Sequence, residues 1–216
     1  MKIAILGGTG KEGMGIGFRW AKAGHQIIIG SRQEGKAVEA ASQLENLLGG
    51  SIKIEGKENL EAANKAELLV ITVPYSAHKA MCEYIKDASQ GKIVIDVTVP
   101  LVPPKVTKVQ MPPAGSATLE AKEVLGENVS VVAAFQNISY EHLLGDDEVA
   151  CDVLVAGDSK NSREIVINLI KEAGLVGLDA GPIENSMVIE GFTSILIGIN
   201  KQFGVKDAGI KITGIS

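Results

Sequence analysis

Apolar residues along this chain fall into short unbroken runs separated by stretches in which they recur every three or four positions. Ile3-Ala4-Ile5-Leu6, Ile27-Ile28-Ile29, Leu68 to Val73, the centre of Lys92 to Val99, and Val129 to Phe135 lack polar alternation. Strands covered on both faces have that pattern. Helical spacing lies between them. It predicts helices over 14–23 closed by Gly24, 33–48 ending at Gly49-Gly50, 59–66, 75–88 bounded by Gly91, and 117–125. Ser51 to Glu55 reads as a short strand. The second half predicts strand 153–156, helix 160–173, strand 175–179 and, after Gly181-Pro182, a helical stretch over about 184–203. The tail Ala208 to Ile215 is apolar and reads as a strand-like or irregular edge.

Strands alternating with helices predict an α/β fold: a doubly wound, mostly parallel sheet covered on both faces, with a small helical C-terminal segment. We expect residues 1–180 to form the main domain and 181–216 the segment that completes a cleft, with a boundary near 150 as the other choice. Ligands of such sheets bind beyond the carboxyl ends of the strands. That rule selects Thr9, Ser31, Pro74, Tyr75, Thr98, Val99, Gln136 and Asn137. The stretch 101–116 contains Pro103, Pro104, Pro112 and Pro113 and is long for a connector, so it reads as a functional cover.

The first strand runs into Gly8-Thr9-Gly10-Lys11-Glu12-Gly13, a G-x-G-x-x-G turn that opens a helix. Strand, turn, helix and second strand fit within about 30 residues, which is the context that gives this turn its meaning. The glycines let the backbone approach a pyrophosphate, and the helix N-terminus offers free N–H groups to it. The second strand ends in Gly30-Ser31-Arg32, with Lys36 one turn later. A carboxylate at this point would hold a ribose 2′-hydroxyl. A hydroxyl, a guanidinium and an ammonium instead bind a 2′-phosphate through charge-assisted hydrogen bonds, which favours NADP over NAD. Glu34 lies between the two cations and is expected to turn away.

Composition narrows the partners. The net charge of −5 comes with no basic stripe, which argues against nucleic acid. His25, His78 and His142 show no metal-ligand spacing. Cys82 and Cys151 lack C-x-x-C spacing and read as buried thiols of a reducing compartment. The N-terminus enters a core strand directly, and no apolar run approaches the ~18 residues of a membrane span. The expectation is a cytoplasmic protein.

Several stretches resemble the family of F420-dependent NADP oxidoreductases: Gly7 to Gly10, Gly30-Ser31-Arg32 with Lys36, Val73-Pro74, Ala133 to Ser139, Asp179 to Pro182 and Ala208 to Thr213. The resemblance spans nearly the whole chain. It implies a Rossmann-type fold and transfer of a hydride between NADPH and the 5-deazaflavin coenzyme F420; chains of this length commonly dimerise through short C-terminal helices, so a homodimer is expected. It places NADP on Thr9 to Glu12, Ser31, Arg32 and Lys36; Gly8 and Gly13 of the turn, and Pro74, His78 and Val99, are expected to bind the nucleotide as well. It places the deazaflavin near Gln136, Asn137, Ile138 and Thr193. The family commonly carries Arg where this chain has Met187, and some members have Ser at Gly191 and His at Gln136.

Hydride transfer between two cofactors needs stacking, distance and electrostatics more than a proton donor. The chain accordingly shows no Ser/Tyr/Lys constellation for protonating an alkoxide. Asn137 would stabilise charge on the acceptor ring, or else cap backbone at a strand end. His78 is the lone acid candidate, or else a helix-surface histidine. Thr193 would face the acceptor, or else bond its own helix backbone. Asp96 reads as structural, and Phe18 and Trp20 as packing residues. Two other functions stay open: an NADPH-dependent reductase of a flavin, chelated metal, imine or carbonyl, and a non-catalytic NADPH-binding module.

Overall fold

A computed structural model describes residues 1–145 and 148–215. The central strands are β1 (Lys2–Leu6), β4 (Leu68–Ile71) and β5 (Ile93–Asp96). Their alternate side chains feed two cores. Ile3, Ile5, Val70 and Ile95 point into one, and Ala4, Leu6, Leu69, Ile71 and Val94 into the other. Both faces therefore need covering, which is why the runs show no polar alternation.

The remaining strands are β2 (Gln26–Ser31), β3 (Glu55–Glu58), β6 (Ser130–Ala133), β7 (Asp152–Gly157) and β8 (Val176–Gly181). The helices are α1 (Lys11–Lys22), α2 (Glu34–Leu47), α3 (Asn59–Lys65), α4 (Tyr75–Ile85), α5 (Ala117–Leu125), α6 (Lys160–Glu172) and α7 (Ser186–Phe203). One eight-stranded sheet has the order β3-β2-β1-β4-β5-β6-β7-β8. Every neighbouring pair is parallel except β6 and β7. The chain therefore changes direction after β3, returning to the other side of β1 as β4, and the crevice at that switch lies beyond the ends of β1 and β4. Trp20 locks α1 to the far half of the sheet. Its Nε1 donates to the Leu169 carbonyl at 2.8 Å, and its ring meets Phe135 edge-on at 5.6 Å.

One strand lies away from its expected position, while the tail takes one of its two expected forms. β3 pairs with β2 through Glu55–Glu58, not through Ser51–Glu55. The reason is packing: a Cβ on Gly56 would come within 2.4 Å of the backbone of α2, so only a glycine lets that helix lie over the strand. Ile54 sinks into the core ahead of the pairing. The tail is irregular apart from its hold on the start of β7. Asp152 N–H donates to the Ile210 carbonyl at 2.7 Å, and its carboxylate accepts from Ile212 N–H at 2.7 Å and Lys211 Nζ at 2.8 Å.

Candidate functional site

The glycine turn follows β1 because Gly7 takes a φ of +70°. Gly7 N–H donates to Asn59 Oδ1 at 3.1 Å, and Gly8 N–H donates to the Gly30 carbonyl at 3.0 Å. Gly13 lies so close that a Cβ there would be 2.6 Å from Gly8 Cα. Gly10, in contrast, has no heavy atom within 4 Å of its missing Cβ. The turn thus packs tightly below and leaves open space above.

That space belongs to a cavity of about 1230 Å³. Of the predicted residues, Thr9, Gly10, Lys11, Glu12, Ser31, Arg32, Lys36, Pro74 and Val99 line it. Gly8 and Gly13 shape the turn beneath. Arg32 and Lys36 are exposed, and Glu34 is turned to Lys57 Nζ at 3.3 Å. Sequence reasoning missed Asn59, Glu58 and Tyr84, which also line the cavity. Asn59 opens α3 on the neighbouring crossover, and its Nδ2 is enclosed without a partner. Nothing local in the sequence signals that approach.

Two charged residues of the turn sit in contrasting environments. Lys11 Nζ donates to Tyr140 Oη at 3.1 Å and stands 4.6 Å from its ring centre, and that hydrogen bond raises the ammonium pKa. Glu12 Oε1 is enclosed and has no hydrogen-bond partner, and burial pushes the carboxyl up to about 8.

His78 is not a surface histidine. It is 1 % exposed in the first turn of α4, and its Nε2 donates to Asp96 Oδ2 at 2.8 Å. Burial opposes its charge, but the Asp96 carboxylate outweighs that and raises the imidazolium to about 11. His78 therefore stands behind the cavity wall as the hydrogen-bond partner of Asp96, not inside the cavity as an acid, and its Nδ1 is enclosed without a partner.

Gln136, Asn137, Ile138 and Thr193 lie outside the lining of this cavity and close to one another. Phe135 takes a φ of +75° at the end of β6, a sparsely populated state for an aromatic residue, and turns the chain into this group. Gln136 Nε2 donates to the Asp96 carbonyl at 2.7 Å, while its Oε1 is enclosed and unpartnered. Asn137 pins β7: Nδ2 donates to the Asp152 carbonyl at 2.6 Å, and Oδ1 accepts from Leu154 N–H at 3.2 Å. Its amide is thus used as a strand-end cap. Thr193 Oγ1 donates at 2.6 Å to the Gln136 carbonyl, and not to its own helix. Ile138 is buried.

The stretch 101–116 runs along α7. Gly191 faces Met111 and Val109, and the end of Met187 reaches 3.1 Å from where a Cβ of Gly115 would stand. Among the described residues no cluster of potential metal ligands occurs, and no helix is long and apolar enough to cross a membrane.

Comparisons with known proteins agree with this geometry. Residues 2–100 match the family model for NADP oxidoreductase, coenzyme F420-dependent. The whole chain is 39% identical to the F420-dependent NADP reductase of Methanocaldococcus jannaschii, over 99% of that protein. It is also 39% identical to the protein of that description from Methanothermobacter marburgensis, again over 99% of it. Among solved structures, a candidate F420-dependent NADP-reductase from Arthrobacter sp. FB24 superposes with a TM-score of 0.83, covering 99% of this chain and 100% of that one. At 23% identity that likeness speaks for the fold. A pyrroline-5-carboxylate reductase from Coxiella burnetii shares it more loosely, with a TM-score of 0.59, 16% identity, and 94% of this chain against 71% of that one.

Proposed function

The chain belongs to the family of F420-dependent NADP oxidoreductases, and on that premise we propose how its cavity is used. The protein is an oxidoreductase that transfers a hydride between NADPH and the 5-deazaflavin coenzyme F420. The observation that carries the reading is the full-length kinship combined with the open glycine cradle. Gly10 leaves room for a pyrophosphate, and the mouth of the cavity carries Ser31, Arg32 and Lys36 for a 2′-phosphate. The residues present therefore fit NADP.

Thr9 to Glu12 hold the pyrophosphate by backbone N–H groups at the head of α1. Pro74 and Val99 form the apolar wall along the nicotinamide end. We assign the deazaflavin to the cleft between the sheet and residues 181–216, by Gln136, Asn137, Ile138 and Thr193. The orphaned Gln136 Oε1 supports this, because a buried acceptor without a donor suits a ring N–H. When bound, NADPH supplies the hydride, and a ring carbon of the deazaflavin receives it. The chain holds the two rings in register and excludes water with Val97, Val99 and Ile138. Such positioning accounts for much of the acceleration that a protein can give.

A cytoplasmic homodimer without nucleic acid completes the reading. It is supported by the acidic charge and by the exposed apolar stripe Val188, Ile195, Ile199 and Phe203 on α7. The test is a spectrophotometric assay with NADPH and oxidised F420, with NADH and FMN as controls. NADPH-specific bleaching of the deazaflavin is expected. Tight NADPH binding without bleaching would show that the acceptor is another compound.

A further inference from the structure

We propose that Asp96 is a positioning residue for hydride transfer, the centre of a buried hydrogen-bond chain that ties the nucleotide wall to the acceptor side; this rests on the site assignment just given. Asp96 ends β5 and is fully buried. Its carboxylate reaches two parts of the nucleotide wall at once. Oδ2 accepts from His78 on α4 at 2.8 Å, and Oδ1 accepts from Thr98 N–H at 3.0 Å. Thr98 Oγ1 donates in turn to the Val73 carbonyl at 3.3 Å, beside Pro74. On the other side the Asp96 carbonyl accepts from Gln136 Nε2 at 2.7 Å, and the Gln136 carbonyl accepts from Thr193 Oγ1 on α7 at 2.6 Å.

The chain therefore runs from α7 through the end of β6 and the end of β5 to α4. His78, Asp96, Thr98 and Gln136 are 1, 0, 3 and 4 % exposed, so water competes little for these bonds. His78 Nδ1 and Gln136 Oε1 keep no partner, but every bond along the path itself is made, and such a buried path couples the positions of the elements it joins. A buried ion pair is weak evidence of a stability role, because its desolvation offsets much of its attraction. A role in geometry is the better account here, since the groups joined are the walls on either side of the proposed transfer. Val97, Thr98 and Val99 line the nucleotide cavity directly after Asp96. A shift of this wall of about 1 Å can cost up to ~100-fold in rate.

The test is a double-mutant cycle across the chain. His78→Leu and Thr193→Val remove its two ends, which have no hydrogen bond to each other. Turnover with F420, KM for NADPH, the NADPH dissociation constant and thermal stability are measured for each variant and for the pair. Each single change is expected to lower kcat about 10-fold while KM for NADPH moves less than about 3-fold, because distance is altered and nucleotide binding is not. The double variant is expected to be no worse than the poorer single one, as for groups acting as a unit. His78→Gln, which keeps an N–H donor near Asp96, is expected to restore most of kcat. If the two losses multiply, or if His78→Gln is as slow as His78→Leu, the proposal is overturned. Should His78→Leu fail to fold, His78→Asn takes its place: it stays polar but is too short to reach Asp96. Failure of the wild-type enzyme to bind NADPH or bleach F420 would sink the site assignment itself, an outcome distinct from additivity among active variants.

Discussion

Arg32 is the residue on which we propose that the choice of nucleotide turns. It stands exposed at the carboxyl end of β2, where it can meet an anion without first being desolvated. A charge-assisted hydrogen bond contributes about 1.5–3 kcal/mol, so Arg32→Ala should weaken NADPH binding roughly 10- to 100-fold and leave NADH unaffected. Equal losses for both nucleotides in a binding titration would refute the assignment. Glu12 makes a different prediction. Its carboxyl is raised from the ordinary 4.5 to about 8 by burial, so the folded protein binds a proton more tightly than the unfolded chain. Stability from this group is complete below about 4.5 and is lost as pH rises through about 8. Glu12→Gln should therefore raise Tm at pH 9 and change it little at pH 4, with about 2–4 °C gained for each kcal/mol recovered. Melting curves at the two pH values decide it, and a gain of equal size at both would show that charge is not the cause. The place of Arg32 at the cavity was legible because it follows the end of the second strand of a βαβ unit. The His78–Asp96 pair was not, since the two stand eighteen positions apart and nothing between them says that α4 will dock with its first turn facing β5.

The central strands were legible as elements because a strand with a core on each side has little room for polar residues, as β1, β4 and β5 show. β3 was misplaced because it is an edge strand, with Glu55, Lys57 and Glu58 in it, and only the close approach of α2 at Gly56 fixes its pairing. The start of α5 was half legible. Ser116 caps it locally, with Oγ accepting from Leu119 N–H at 3.0 Å. The second cap comes from more than seventy residues away. Glu190 on α7 accepts from Ala117 N–H at 2.7 Å and from Thr118 N–H at 3.0 Å and Oγ1 at 2.8 Å. A carboxylate suits the positive end of a helix, and here it is the link between α5 and α7. In Glu190→Gln one carboxylate oxygen becomes an N–H group and faces a donor. A loss of about 1–3 kcal/mol is expected, as for a buried donor left without an acceptor. Urea denaturation measures it, and hydrogen exchange should show the Ala117 and Thr118 amides opening first. An unchanged midpoint with unchanged protection would mean that Ser116 alone caps the helix.

At the scale of the molecule, the mostly parallel sheet places the glycine turn and the strand ends around the cavity at one end, and α7 with the 101–116 stretch runs along the proposed acceptor side. This arrangement leaves a consequence on the outer face of α7. Val188, Ile195, Ile199 and Phe203 are 59, 49, 36 and 68 % exposed and recur at helical spacing, so they form one stripe and not scattered apolar residues. A stripe of this kind marks an interaction surface, and aromatic residues near its centre of contact commonly carry most of the binding energy. A homodimer in which two α7 helices meet would cover it and would brace the acceptor side of each subunit, since Thr193 and Glu190 lie on the same helix. Phe203→Asp places a charge in that contact without touching the cavity. Light scattering after gel filtration should then report a dimer for the wild type and a monomer for the variant. The monomer should keep its NADPH affinity and lose turnover, because α7 holds Gln136 through Thr193 and is itself braced from outside. A variant that stays dimeric would move the interface elsewhere, and a fully active monomer would separate assembly from catalysis.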